Sequence, residues 1–391
     1  MYACPALAYR RDEATGAILL DEEKCIGCKY CSWACPYDAP VFDSERGVMS
    51  KCTFCNHRLQ DGLKPACASL CPTGALGFGQ LRETELTNAI DGFPNTELSP
   101  RIQIRPLEPG RELPVMTAPE VRTPFALAPQ PVSSVISLRS EWSLMLFTAA
   151  AAALVALLAS SLRGVALSPS AFAVGAAVTA GLATLHLGKV GRVYRAIFNL
   201  RRSWLSREVL ALSAFVGLSA LYLGSGDPVL GGAATLVGFV ALLCADRVYS
   251  VLKASEPAYR HSASVLWTGI FLTGVFAGVT WLAAVFGFGK LALYVLRKLG
   301  FIDTGRPVRP GVTALRTGVG LVLPPILWYL DFDQFHTLII VGVLIGELID
   351  RGEYYMELQP TSPSLEMREA LERRIADGAA RSERPAAVAA D

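Results

Sequence analysis

The chain has 391 residues, 52% hydrophobic and 18% charged, with a formal net charge of +2 and a mean hydropathy of +0.38. The charge gives no argument for nucleic acid, and none is expected as a partner. Average composition conceals a split: residues 1 to about 140 are polar and hold nine of the ten cysteines, whereas the rest is a series of long apolar runs. A wholly soluble electron carrier is thereby excluded.

The N-terminus, MYACPALAYRRDEATGAILL, has no apolar core of a secretory signal. Arg10 and Arg11 are followed only by AILL, too short for a twin-arginine signal. Without an oxidising compartment, clustered cysteines read as ligands rather than disulfides. Cys25-x2-Cys28-x2-Cys31-x3-Cys35-Pro36 has the spacing of a bacterial [4Fe–4S] site. Three thiolates on a tight loop reach three corners of one cubane, and the fourth, before proline, turns to a different cluster. Gly27 lets backbone amides approach the inorganic sulfides. Zinc sites pair two separated Cys-x-x-Cys units, which this compact run is not.

A second run, Cys52-x2-Cys55-x11-Cys67-x3-Cys71-Pro72, keeps both ends and lengthens the middle. Alone it would also suit zinc; beside the first it reads as a second cluster loop. His57, inside it, is expected on the surface. The simplest pairing joins Cys25, Cys28 and Cys31 with Cys71, and Cys52, Cys55 and Cys67 with Cys35. Cys4 also precedes a proline, as though closing an earlier run.

Residues 81–141 are proline-rich and read as an extended linker. Spans of roughly 20 apolar residues follow at 142–162, 170–187, 208–223, 228–249, 312–330 and 334–349. The stretch 262–297 is too long for one crossing; it forms two short helices breaking near 278–280, or one span and an amphipathic helix. Residues 189–207 hold six basic residues and no acid, and residues 290–309 hold five against Asp303. Basic loops stay in the cytoplasm, which favours eight spans with both loops, the cysteine domain and the C-terminus inside. Cys244 reads as a small buried hydrophobe and Pro324–Pro325 as a kink, and His261 and His336 at helix starts earn no role. The tail, 359–391, is expected to be partly disordered.

His186 ends one span and Glu208 opens the next, on one face. Quinol oxidation releases two electrons and two protons, and an imidazole and a buried carboxylate are fitting acceptors. The plainer alternatives are an interfacial histidine anchoring its helix and a carboxylate complementing a helix dipole. Arg192, Arg195, Arg201 and Arg202 read as positive-inside charges or a docking surface. Asp246, Arg247, Glu347, Asp350 and Arg351, at inner span ends, read as local pairs or as part of the quinol or proton path.

The stretch from Cys4 to Gly79 resembles the second half of the four-cluster iron–sulfur subunit of dimethyl sulfoxide reductase-type molybdoenzymes. That resemblance implies a different pairing: Cys4 joins Cys25, Cys28 and Cys31, while Cys35 and Cys71 serve clusters of runs not seen here, and Cys52, Cys55 and Cys67 lack their fourth ligand. The motifs EWSLMLFT, HLGKVGRVYRAI, SWLSREVL, DRVY and GELIDRGEYYMEL resemble the quinol-oxidising membrane anchor of the same family. The resemblance implies quinol handling by His186 and Glu208, with Arg192 beside them.

The expected architecture is a small ferredoxin-like α+β iron–sulfur domain (1–80), a linker (81–141), an all-α polytopic membrane bundle of about eight transmembrane helices (142–358) and a tail (359–391). The expected role is a non-catalytic electron-transfer and anchor subunit at the bacterial cytoplasmic membrane, iron–sulfur domain inward. It would take electrons from menaquinol or another quinol and pass them through one or two [4Fe–4S] clusters to a molybdopterin catalytic subunit. Its partners would be that subunit, the quinol pool and membrane lipid. The rival reading is a membrane transporter or sensor regulated by an iron–sulfur or zinc domain.

Overall fold

A computed structural model describes residues 2–35, 37, 39–74, 76–79, 138–251, 261–303 and 307–358. The expected linker therefore lies outside the described residues apart from 138–141, as does the whole tail from 359. Of the described residues, 2–54 and 138–358 belong to one compact unit and 55–79 to another.

The first unit opens with two hairpins built alike. β1 (Tyr9–Arg11) pairs antiparallel with β2 (Ile18–Leu20), and β3 (Val41–Asp43) with β4 (Val48–Ser50). In each, an aspartate carboxylate accepts backbone N–H groups of the turn: Asp12 from Thr15 at 2.9 Å, and Asp43 from Glu45 and Arg46 at 3.0 Å. A glycine four residues on, Gly16 or Gly47, takes positive φ so the chain can turn back into its second strand. Between the hairpins lies a single turn, α1 (Tyr30–Trp33). Ala8, Cys25, Val48 and Met49 form the core of this small α+β domain. The other unit contributes two short helices, α2 (Asn56–Gln60) and α3 (Ala66–Ser69).

The helical part begins with α4 (Leu138–Ser161), which packs against four other helices. Its run Thr148–Ala153 keeps the helix thin enough for such close neighbours, with Ala151 and Ala152 fully inside. There follow α5 (Pro169–Thr184), a 3₁₀ helix (Val190–Ile197), α6 (Trp204–Ser225), α7 (Pro228–Val248), α8 (Val265–Phe276), α9 (Thr280–Asp303) and α10 (Pro310–Thr317). A π-helical turn, Gly318–Val322, leads into α11 (Leu323–Glu357). The starts follow capping chemistry: Ser168 before Pro169 accepts from Ala171 N–H, and Asp227 before Pro228 accepts from Val229 N–H.

Among the described residues, four helical stretches, Leu138–Ser161, Trp204–Ser225, Pro228–Val248 and Pro310–Leu330, are long and apolar enough to cross a bilayer; Pro169–Thr184 and Val265–Phe276 are shorter apolar helices. The first begins at Leu138 rather than 142 and kinks at Glu141. The long stretch divides into α8 and α9 at Gly278, whose φ of 66° ends the first helix. Residues 290–303 are not a solvated basic loop. α9 continues to Asp303, and Lys290 and Lys298 are buried because acids of α11 face them.

Helical backbone also runs through the acidic positions 331–333, where a loop was expected. A straight helix would hold Pro324 and Gly342 about 27 Å apart, yet a Cβ on Gly342 would touch the Pro324 ring. A Cβ on Gly320 would likewise lie 2.7 Å from the Gly346 Cα. The chain therefore doubles back between 324 and 342, and paired glycines let the two legs meet backbone to backbone.

Candidate functional site

The first cysteine run wraps a cavity lined by Cys4, Cys25, Cys28 and Cys31, with Gly27 and Met49 completing the wall. Backbone N–H groups point at its sulfurs: Gly27 and Met49 donate to the Cys25 Sγ at 3.4 and 3.5 Å, and Ala8 to the Cys4 Sγ at 3.4 Å. Gly27 (φ 68°) and Lys29 (φ 58°) take left-handed conformations that curl the loop inward. All ten cysteines are free thiols. Burial pushes the thiols of Cys4 and Cys28 up, and that of Cys31 up to about 11, so holding them as thiolates calls for a strongly electropositive centre. Among the described residues, no three His, Cys, Asp or Glu converge tightly enough to chelate a single ion. Four thiols spaced around a cavity, with amides aimed at sulfur, fit a cubane that takes one thiolate per corner.

Cys4 thus stands with Cys25, Cys28 and Cys31. Cys35 and Cys52 belong to the same unit but do not line this cavity; the Cys52 Sγ accepts from Phe54 N–H at 3.3 Å. In the other unit, the Cys55 Sγ accepts from Ala66 N–H and the Cys71 Sγ from Leu76 N–H, both at 3.4 Å, while Cys67 is exposed.

The segment between α5 and α6 is docked on this loop by backbone. Gly188 and Lys189 donate N–H bonds to the Gly27 and Ile26 carbonyls at 3.3 and 3.1 Å. A Cβ on Gly27 would stand 2.5 Å from the Gly47 carbonyl oxygen and 2.8 Å from the Gly188 Cα, so three glycine backbones are in direct contact. Two side chains complete the clamp. The Arg192 guanidinium donates to the Glu22 and Cys25 carbonyls at 2.7 and 3.2 Å, and the Asn199 amide to those of Tyr2 and Cys4 at 2.9 Å each. From the other side α1 plugs into the bundle: the Tyr30 hydroxyl donates to the Val248 carbonyl at 3.0 Å, and Trp33 stacks on Tyr249.

Beside the clamp lies a cavity of about 830 Å³, running between α5 and α6 and floored by α4 and α7. His186 and Glu208 both line it, and so do Ile26 and Cys28 from the cluster loop. Cys28 and Ile26 therefore form a wall shared by the two cavities. Glu208, one turn into α6, is 4% exposed. The His186 Nδ1 is buried and unpartnered. Arg192 does not line this cavity; its guanidinium is engaged on the cluster loop.

Asp246 caps α8, accepting from the Ser264 hydroxyl at 2.6 Å and from Val265 and Leu266 N–H. Arg351 donates to the Thr148 hydroxyl and the Ala263 carbonyl, at 3.0 Å each. The sequence reading missed a ladder of buried ions. Lys290, Arg297 and Lys298 on α9, with Arg316 on α10, face Glu347, Asp350, Glu353 and Glu357 on α11 at 2.9 to 3.5 Å. The signal was present: the acids recur at intervals of three, three and four, one helical face.

Residues 1–81 match the model of the 4Fe-4S dicluster domain family, and the N-terminal region is such a domain. It is homologous to iron–sulfur subunits of multi-subunit oxidoreductases. The B component of anaerobic dimethyl sulfoxide reductase from Haemophilus influenzae is 42% identical over 108 residues, 26% of this chain and 52% of that protein. The B component of sulfite dehydrogenase from Allochromatium vinosum is 40% identical over 111 residues, 26% of this chain and 46% of that protein. The thiosulfate reductase electron transfer subunit PhsB of Salmonella typhi is 48% identical over 84 residues, 21% and 43% respectively. The chain spans about half the length of these curated relatives, or somewhat less, and the helical part is consistent with a fusion to such a domain. No solved structure matches the chain.

Proposed function

We propose that this chain oxidises a membrane quinol, menaquinol or a close analogue, in the cavity of His186 and Glu208, and delivers the electrons to a separate molybdopterin catalytic subunit. The observation that carries the reading is the wall shared by the two cavities: Cys28 touches both the thiol-lined cradle and the space holding the two proton acceptors. Cys4, Cys25, Cys28 and Cys31 would hold one [4Fe–4S] cluster; Cys35, Cys52, Cys55, Cys67 and Cys71 are assigned to cluster ligation by their spacing. When bound, such clusters supply one-electron relays.

Each quinol gives up two electrons and two protons to become quinone. The Glu208 carboxylate takes one hydroxyl proton and the His186 imidazole, whose buried Nδ1 has no hydrogen-bond partner, the other. Arg192 and Asn199 keep the cluster loop against this cavity. Both the proton acceptors and the cluster loop lie at the same end of the bundle, assigned to the cytoplasmic face of the inner membrane. The doubling-back of the last helical stretch and the separation of α8 from α9 support eight crossings.

The test is reduction of the clusters by quinol in the purified full chain, followed by low-temperature EPR. His186→Ala and Glu208→Gln should each slow it by ~10²–10⁴-fold while dithionite still reduces the clusters fully. Unchanged quinol kinetics in both variants would remove the site from this cavity.

A further inference from the structure

The space holding His186 and Glu208 is far longer than a quinol ring needs. On α5 its lining extends from Thr184 back to Pro169, and on α6 from Leu205 to Gly224. At 1.5 Å per residue these are about 22 and 28 Å, most of the ~30 Å hydrocarbon thickness of a bilayer. Its two ends differ in chemistry. The buried Glu208 carboxyl and the His186 imidazole, its Nδ1 unpartnered, sit at the cluster end. Further along, the hydroxyls of Thr179 and Ser213 are satisfied by their own helices, donating to the Gly175 and Val209 carbonyls at 2.7 and 2.8 Å. What remains is apolar surface, kept wide on the α5 side by small residues: Ala173, Ala176, Ala177 and Ala180 line it.

A corridor polar at one end and apolar over the remaining length suits an amphipathic ligand with one small polar head and a long hydrocarbon tail. We infer that the corridor between α5 and α6 is a tail-binding site: the isoprenoid chain of the quinol lies along it, within the bundle, while the ring sits between Glu208, His186 and the Cys28 wall. This rests on the quinol reading and adds to it a specificity for long-tailed substrates. The corridor's continuity with the two proton acceptors is what favours a quinol tail over a lipid acyl chain, which would bring a charged headgroup to the buried Glu208.

The experiment compares two quinols with the same ring, one tailless and one with a long isoprenoid chain, as reductants of the clusters in the full chain reconstituted in liposomes. The long-tailed quinol should show a KM lower by about tenfold. In the double variant Ala173→Leu/Ala177→Leu, which places two branched side chains on one face of the corridor, that advantage should collapse to about twofold or less. Leu is a good helix former and both alanines are exposed, so folding is checked simply by the EPR signal after dithionite. An equal tail advantage in parent and variant would overturn the inference, as would tail-independent kinetics with phospholipid retained by the parent and lost from the variant. If neither quinol reduces clusters that dithionite does reduce, the quinol reading itself fails.

Discussion

At the scale of single residues, the glycines of the clamp set the tolerance of the whole device. A Cβ on Gly188 would collide with the Gly47 carbonyl oxygen, which is backbone and has no rotamer to escape into. Gly188→Ala must therefore part the 188–202 segment from the hairpin turn that packs on the cluster loop, and a shift of about 1 Å is enough to cost on the order of 10²-fold in a positioned reaction. Gly191, three residues on in the same segment, has open space where a Cβ would go; Gly191→Ala should leave quinol-driven cluster reduction within about twofold of the parent. Stopped-flow bleaching of the cluster absorbance compares the two. The cysteine spacing and the unusual positions of His186 and Glu208 were legible in the sequence because ionisable and ligating residue types announce themselves. Gly188 was visible only as part of a motif, since nothing in one chain's sequence tells which backbone a glycine must touch.

At the scale of elements, the sequence marked most helices through their caps and apolar length, and it misread the basic stretch that starts at Lys290. Lys290, Arg297 and Lys298 looked like a cytoplasmic loop because basic residues are counted by position, without sight of the acids that neutralise them. The four acids of α11 against four cations of α9 and α10 make a ladder with no net charge. It binds α9 and α10 to the final helix at depths where a lone ion would be costly. Arg316, wholly buried between Glu347 and Asp350 at 2.9 and 3.3 Å, is its inner rung. Arg316→Met leaves those carboxylates short of a cation and should cost about 3–5 kcal/mol of stability. Adding Glu347→Gln to that variant should restore a substantial part, because one uncompensated charge disappears. Thermal unfolding in detergent measures both; an additive double variant would mean that the pair is not coupled. The reversal of the chain near 331–333 was legible from its two apolar runs, whereas the contact of Gly320 with Gly346 was hidden, because one sequence does not tell which glycines face each other.

At the scale of the molecule, the proposed proton acceptors and the cluster cradle occupy one end of the bundle, so quinol protons should leave on the face from which the electrons depart. Turnover in sealed proteoliposomes, with the catalytic subunit bound outside and quinol supplied from the lipid, should then generate no membrane potential beyond that of protein-free controls under a potential-sensitive dye. A sustained potential would require a proton route across the helices and would contradict the one-sided arrangement. The split between polar and apolar halves gave this overall plan at once. How the halves meet was not legible, because the contacts are carbonyls, amides and glycines rather than side-chain patterns.

The clamp between the 188–202 segment and the cysteine loop is a modest set of hydrogen bonds, yet its two sides share one polypeptide. Their meeting is governed by the local concentration that a tether imposes and not by how many copies of each the cell makes. A contact too weak to hold two free subunits together can thus suffice here, and no copy of the helical half reaches the bilayer without its own cradle attached.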